Sequence, residues 1–457
     1  MAASPAKADT LEQALLALSP EPLASDDPRY VDLQKGRGSK PLDRLRIILQ
    51  AAVHDETQFA KVVFTGHRGC GKTTELLRLE GQLAEEFTCV HLFVEQSLLN
   101  NYDYTLLFLW LVDELATFFE EQLKRPLSKH AVGEVARWFA TVVAQEDRSV
   151  LKEIGLETEA AAGVDHNWFG VRVKLMAYLK SMIRGSEESR RTITRTLQKY
   201  SSDLLEKVNL LLDDAHRTLA GQSDRPSRLL LVIDNLDRLP RRISEPLFFD
   251  NGDMLKALRV HTIYTVPVAI AVAPRNIYTV FPTGYTLPML KVQTSENKAF
   301  RRGLDALRAI AFRRLDEKLF RTSKPVNYLC RKSGGSIRDL MRLLYNATVS
   351  ALARGSSQIG MPDAEDAAKQ MRVDFERLLL DYLALARIHV HKTVLPSYRV
   401  VDHNEMESNA RETLRALLEN GAVFEYNGDG LWHDVHPVIQ DIEEFRKAVE
   451  HVKTEGG

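Results

Sequence analysis

Cysteine is scarce in this chain: Cys70, Cys89 and Cys330 are the only three among 457 residues. A sparse, odd-numbered set cannot form the disulfide framework of a small secreted fold, and it suits a reducing compartment. Long apolar runs are missing as well. None approaches the roughly 20 residues that a membrane-crossing helix needs, and residues 1–20 have no apolar core behind a basic start, so no signal peptide is expected. Nor is there an excess of either charge. Lys and Arg number 61 against 62 Asp and Glu, for a net charge of −1, which excludes the overall basic field of many nucleic-acid binders. No internal repeat recurs along the chain. These absences lead us to expect a soluble, cytoplasmic protein without a membrane partner.

A hydrophobic content of 44% with 27% charged residues is that of an ordinary globular protein, and the length calls for two to four domains. One stretch organises the rest. Residues 61–78 read KVVFTGHRGCGKTTELLR: an apolar β-branched run, then Gly66 to Thr73, then a helix-forming segment. This is the pattern G-x-x-x-x-G-K-[ST] in its strand–loop–helix setting. Gly66, Gly69 and Gly71 let consecutive N–H groups turn inward toward an anion, and the following helix aims its positive end at the same point. Lys72 supplies a point charge for β- and γ-phosphates, and the Thr73 hydroxyl is suited to Mg²⁺. The candidate phosphate-binding set is therefore Gly66, His67, Arg68, Gly69, Cys70, Gly71, Lys72, Thr73 and Thr74.

Leu229–Ile233 is a second apolar run of buried-strand type, and it ends at Asp234, where such proteins hold the Mg²⁺ shell. Asn235 stands where a water-orienting glutamate is usual; Asp237 is the nearest acid to act as base, and slow hydrolysis is expected. Val266–Val272 reads as another buried strand, which places Arg275 or Asn276 at its ligand-facing end. Residues 1–27 have the composition of a loose arm with one short helix near Leu11–Leu18. Tyr30 and Val31, in the lead-in, are candidates for contact with a base, or are ordinary core. A helical span of about 101–225 separates the second and third strands and carries Trp110, Trp138 and Trp168, all expected in the core. Its basic part, Arg184–Lys199, is more simply a solvated helix face than a phosphate-binding one. Arg301, Arg302, Arg308, Arg313, Arg314 and Arg321 crowd a further helix, where one could act in trans. Arg338 opens the helix after Gly334-Gly335-Ser336. Past a joint at Arg354–Pro362, helices near Ala364–Ile388 and Glu405–Glu419 precede an Asn427-Gly hairpin signal and a last helix, the order of a winged helix.

The segments TGHRGCGKTT, LLLVIDNLDRLP, APRN and GGSIRDLMRLL, with the terminal helices and hairpin, resemble two neighbouring groups. These are the origin-recognition-like branch of the AAA+ ATPases and the signal-transduction (STAND) ATPases. The likeness spans about residues 28–457 and is specific in the two phosphate motifs; the helical insertion fits neither group. The resemblance implies an α/β fold: a parallel-sheet P-loop NTPase core with a large helical insertion, a helical lid and a C-terminal winged-helix domain. The expected boundaries are 1–57 for the arm and lead-in, 58–300 for the core, 301–360 for the lid and 361–457 for the winged helix. It further implies ATP or ADP with Mg²⁺ as ligands, with Lys72 and Thr73 as the Walker A pair and Asp234 as the Walker B acid. Arg275 or Asn276 would be the first sensor, Arg338 the second, and Asp237 the base. His433, in Trp432-His433-Asp434, loosely matches a STAND histidine that touches the bound diphosphate, with His436 close by. Two functions follow. One is a nucleotide-dependent switch that self-assembles as a homo-oligomer or recruits a separately encoded effector, as in bacterial defence or signalling. The other is a DNA-binding initiator or transposition regulator, disfavoured by the acids Glu405, Glu407, Glu412, Glu419, Glu425, Asp429 and Asp434 around the wing. A nucleotide-binding scaffold with little turnover is a third.

Overall fold

The structure is a computed structural model that describes residues 7–55, 58–95, 103–128, 130–135, 138, 142, 198–221, 224–378, 380–393, 403–427 and 430–455. Most of the basic segment Arg184–Lys199, together with Trp168, lies outside the described residues. The N-terminal region forms α1 (Leu11–Ala17), α2 (Gln34–Arg37) and α3 (Pro41–Ala52). Next come β1 (Lys61–Gly66), α4 (Lys72–Gln82), β2 (Thr88–Phe93), α5 (Tyr104–Thr117), α6 (Ser201–Ala220), β3 (Leu229–Asp234) and α7 (Arg241–Glu245). β4 (His261–Val266) and β5 (Thr283–Leu287) complete the core. The lid contains α8 (Arg301–Phe312), α9 (Ser323–Lys332), α10 (Ile337–Ala353) and α11 (Met361–Glu376). The C-terminal unit consists of α12 (Tyr382–His391), α13 (His403–Glu419), β6 (Val423–Asn427), β7 (Leu431–Val435) and α14 (Glu443–Glu455).

All five core strands run parallel in the order β2-β3-β4-β1-β5. Successive side chains on a strand point to opposite faces, and here both faces are covered. Leu229, Leu231 and Ile233 of β3 enter one apolar cluster with α5 and α6; Leu230 and Val232 enter the other, with Leu76 and Leu79 of α4. That two-sided burial is why β3 is apolar up to its last residue, Asp234. The fourth strand departs from expectation. It occupies His261–Val266 rather than Val266–Val272, because Pro267 has no N–H for the ladder, and Val268–Ala271 coils into a short helix instead.

The arm is not loose. Ala8 and Leu315 form a parallel bridge, and Leu11, Ala14, Ala17 and Leu18 are buried with Leu340, Leu343 and Leu344 of the lid. Small alanine side chains allow α1 to approach α10 closely. Nor does α11 join the terminal module: it is buried with α9 and α10, with Ala364, Ala367 and Met371 in the lid cluster. The terminal unit has its own apolar cluster, including Leu385, Leu414, Val423, Val435 and Phe445. Its antiparallel hairpin pairs Val423 with Val435 and Asn427 with Leu431; residues 428–429 of the expected turn lie outside the described residues. No described helix is long and apolar enough to cross a membrane.

Gly335 fixes how the lid meets the core. It has φ +94°, and a Cβ there would lie 1.7 Å from the Leu290 carbonyl oxygen. Gly335→Ala is expected to cost more than about 3 kcal/mol in denaturant unfolding. Gly355→Ala, with φ +69° but open space around it, should cost only about 1–2 kcal/mol.

Candidate functional site

β1 ends at Gly66 and α4 begins at Lys72, so the loop between them spans the carboxyl end of the sheet. Lys72 is 6% exposed. Its ammonium donates to the carbonyls of Gly66 (2.8 Å) and His67 (3.0 Å) and pairs with Asp237 Oδ2 at 2.8 Å. Burial works against the charge, but Asp237 outweighs it and raises the Lys72 pKa. Thr73 Oγ1 donates to Asp234 Oδ2 at 2.7 Å. Asp234 is buried, which alone would raise its pKa; hydrogen bonds from His91 and Thr73 bring it down to about 2. His91, on β2, reaches Glu80 through Nδ1 (2.5 Å) and Asp234 through Nε2 (3.4 Å). Burial opposes its charge too, but these two acids raise it to about 9.

Asn235 has φ +70°, and its N–H donates to Asp234 Oδ1 at 2.7 Å, closing the turn that aims the Asp234 carboxylate. Asn235, Asp237, Lys72, Thr73 and Thr74 share a cavity of about 290 Å³ with Tyr30, Val31 and Arg338. Tyr30 donates its hydroxyl to Glu75 Oε2 (3.1 Å), and its ring lies 3.9 Å from the Arg78 guanidinium carbon. The Thr74 hydroxyl accepts the Leu23 N–H (3.2 Å), tying the arm to α4.

Two other units bond to the loop itself. The first N–H groups of α10, on Ile337 and Arg338, donate to Gly69 O at 3.0 and 3.3 Å. A Cβ on Gly69 would meet Arg338 Cβ and Ser336 Oγ at 2.8 Å, so this docking requires glycine. On the other side, His67 Nε2 accepts the Glu425 N–H at 2.7 Å, and its ring meets Phe424 edge to face. Burial drops the His67 pKa to about 4, which keeps the ring neutral and able to accept. The His67 side chain is thus a tether to the hairpin. Cys70 is buried beneath the loop, and its carbonyl accepts from Arg37; Arg68 is exposed, its Nη2 at 3.5 Å from Arg238 O.

Several expected residues lie elsewhere. Arg275 pairs with Asp250 and lies over the Phe249 ring, and Asn276 caps the turn Ile277–Val280 through Tyr278 N. Neither lines the cavity, because the strand meant to present them ends at Val266. His433 also stays outside the cavity lining, facing Glu425 across the hairpin with Nε2 at 3.7 Å from Oε2. Asp434 holds His389, Lys392 and Gln293, and His436 Nε2 lies 3.6 Å from Asp339. His91, Arg37 and Arg314, by contrast, carry no motif signal. Arg37 is 2% exposed and bonds Pro288 O and Cys70 O at 2.8 Å each.

No protein-family model matches the chain, and no curated protein matches it in sequence. Among solved structures, it is similar to the Aeropyrum pernix ORC2 protein in its ADPNP–ADP complexes: 12% identity, 93% of this chain and 96% of that one covered, TM-score 0.42. A Walker-type ATPase of Pyrococcus abyssi gives 9% identity over 95% and 99%, TM-score 0.42, and the Thermotoga maritima RuvB branch-migration motor 13% over 93% and 98%, TM-score 0.34. At these scores the overlap carries no functional argument. What the site can do rests on its own chemistry.

That chemistry suits a phosphate at the loop, with two oxygen donors placed where a hard cation fits. A hydroxyl and a carboxylate 2.7 Å apart suit Mg²⁺, which keeps several waters and takes few protein ligands. Among the described residues, no group of three His, Cys, Asp or Glu converges as a denser metal cage. The raised pKa of His91 has a testable consequence. Its stabilising charge is fully present below the unfolded value of about 6.5 and is lost as pH rises through about 9. Denaturation midpoints of wild type and His91→Gln should therefore lie furthest apart near pH 6 and converge by about pH 10.

Proposed function

We propose that the chain is a Mg²⁺-dependent, slowly hydrolysing ATPase that works as a nucleotide-dependent switch. One observation carries this reading. The loop that holds Lys72 also receives backbone hydrogen bonds from the lid and from the C-terminal hairpin. A phosphate drawn to the loop therefore disturbs the contacts of two other units.

The Lys72–Asp237 pair supplies the chemical step. An incoming γ-phosphate competes with Asp237 for the ammonium and frees the carboxylate. Asp237 then takes a proton from a water attacking the γ-phosphorus while the bond to the β–γ bridging oxygen breaks toward ADP. Thr73 and Asp234 would hold Mg²⁺, which would supply neutralisation of phosphate charge there. Asn235 offers no base, consistent with slow turnover. Arg338, in the lining and exposed, is the lid's cation for the phosphates. Adenine rather than guanine follows from the resemblance to AAA+ and STAND proteins. So do the output, self-assembly or recruitment of a separate effector, and the setting in defence or signalling.

The DNA-binding alternative is disfavoured by where α13 sits. Arg241 pairs with Glu412 and Glu419, and Arg415 with Glu245, so the helix before the wing is held against α7 of the core.

Lys72→Ala should weaken ATP binding at least about 100-fold by calorimetry. Asp237→Ala should keep binding and lose turnover at least about 10-fold; unchanged turnover removes Asp237 as base. Light scattering without nucleotide, with ADP and with a non-hydrolysable ATP analogue should show a defined oligomer with the analogue alone. Equal mass in all three states rules out assembly as the output.

A further inference from the structure

The nucleotide cavity contains a buried cation that the phosphate chemistry does not use. Three arginines are buried among the described residues: Arg37, Arg314 and Arg415. Arg415 has the carboxylates of Glu245 and Glu412, and Arg37 has Glu75 and two carbonyls. Arg314 has no carboxylate partner among the described residues. It is 5% exposed and lines the cavity, and its Nε has no hydrogen-bond partner. Its Nη1 reaches only the Ile310 carbonyl at 3.3 Å, within its own turn. Asp27, the acid that acts on it electrostatically, is taken by Arg29 at 2.6 Å.

Its neighbourhood is unlike the phosphate wall. Val31, Leu33, Ile310 and Met341, one apolar cluster from the lead-in and the lid, line the cavity there, beside Arg29, which is paired to Asp27. Arg314 itself is held in place from both chain directions: its carbonyl accepts the Ala8 N–H at 2.8 Å, and Asp316 N donates to Ala8 O at 2.8 Å. A buried guanidinium with a single main-chain acceptor and no carboxylate leaves most of its donors uncompensated. Such a group persists where it has a ligand to meet. An apolar wall with a fixed fork of donors matches a flat heterocycle that presents acceptor atoms at its edge, or the oxygens of the sugar attached to it.

We propose that Arg314 binds the nucleoside part of the ligand, donating to acceptor atoms of the base edge or the ribose, and so sets which nucleotide the site accepts. This rests on the nucleotide reading of the loop and extends it to the other end of the ligand. It also accounts for the arm's burial in the lid: the bridge at Ala8 fixes the segment that carries Arg314.

The test is calorimetric titration of ATP, GTP, dATP and inorganic tripolyphosphate into wild type, Arg314→Met and Arg314→Lys, each first matched to wild type by circular dichroism. Arg314→Met should weaken ATP about 10- to 100-fold and leave tripolyphosphate within about twofold. Arg314→Lys, which keeps the charge and loses the fork, should fall between, and it serves alone if the methionine variant does not fold. If the base is the partner, the ATP-to-GTP ratio changes in the variant; if the ribose is, wild type binds dATP more weakly than ATP and the variant no longer distinguishes them. An equal loss for tripolyphosphate makes Arg314 a phosphate ligand and overturns the proposal, as does no loss for any nucleotide. Failure of the nucleotide reading itself would look different: wild type would bind none of the four, or Lys72→Ala would bind them all unchanged.

Discussion

A buried ammonium and a buried carboxylate, Lys72 and Asp237, face each other 2.8 Å apart beside the loop that the lid and the hairpin touch. Lys72 and Asp237 are both under 10% exposed, so removing either would leave the other without its partner in a buried place. The pair also fixes the backbone, because the same ammonium draws the Gly66 and His67 carbonyls inward. With those carbonyls turned in, Gly69 O remains for the lid and the His67 ring for the hairpin. The arrangement of the outer units therefore follows from how one lysine is neutralised.

This makes the loop a shared support. The lid reaches it through helix N-terminal N–H groups, the C-terminal hairpin through one imidazole, and the arm through the neighbouring Thr74 hydroxyl. Each is an ordinary hydrogen bond worth about 1 kcal/mol net. Contacts of that size can be exchanged by ligand binding without unfolding anything, whereas the apolar clusters inside each unit cannot.

The sequence made some of this legible and hid the rest for identifiable reasons. The loop and β3 stand out because their requirements are local: glycines and a lysine at fixed spacing, and an apolar run buried on both faces. β4 was hidden because its residues, HTIYTV, mix polar and apolar types with no strand period although all are buried, while the more apolar segment after it begins with proline. The arm's alanines, serines and prolines have the composition of a loose tail, yet alanine also suits close helix packing, and only the tertiary structure distinguishes the two. His91 and Arg37 owe their place to strand register and to a turn between Gly36 and Gly38, neither of which leaves a motif. Among the arginines of 301–321, Arg314 differs from its neighbours only in burial.

The long excursion between β2 and β3 departs from an edge of the sheet, beside the Asp234 turn. Phe93 is in register with Asp234, Val94 N donates to Asp234 O at 3.1 Å, and Asn235 Nδ2 lies 3.4 Å from Val94 O. A load on the chain leaving β2 thus arrives at Asp234, while one on the lid or hairpin arrives at the loop between β1 and α4. These two handles converge where Thr73 Oγ1 and Asp234 Oδ2 lie 2.7 Å apart. The excursion can therefore change in length without altering a residue of the loop to which the lid and the hairpin bond.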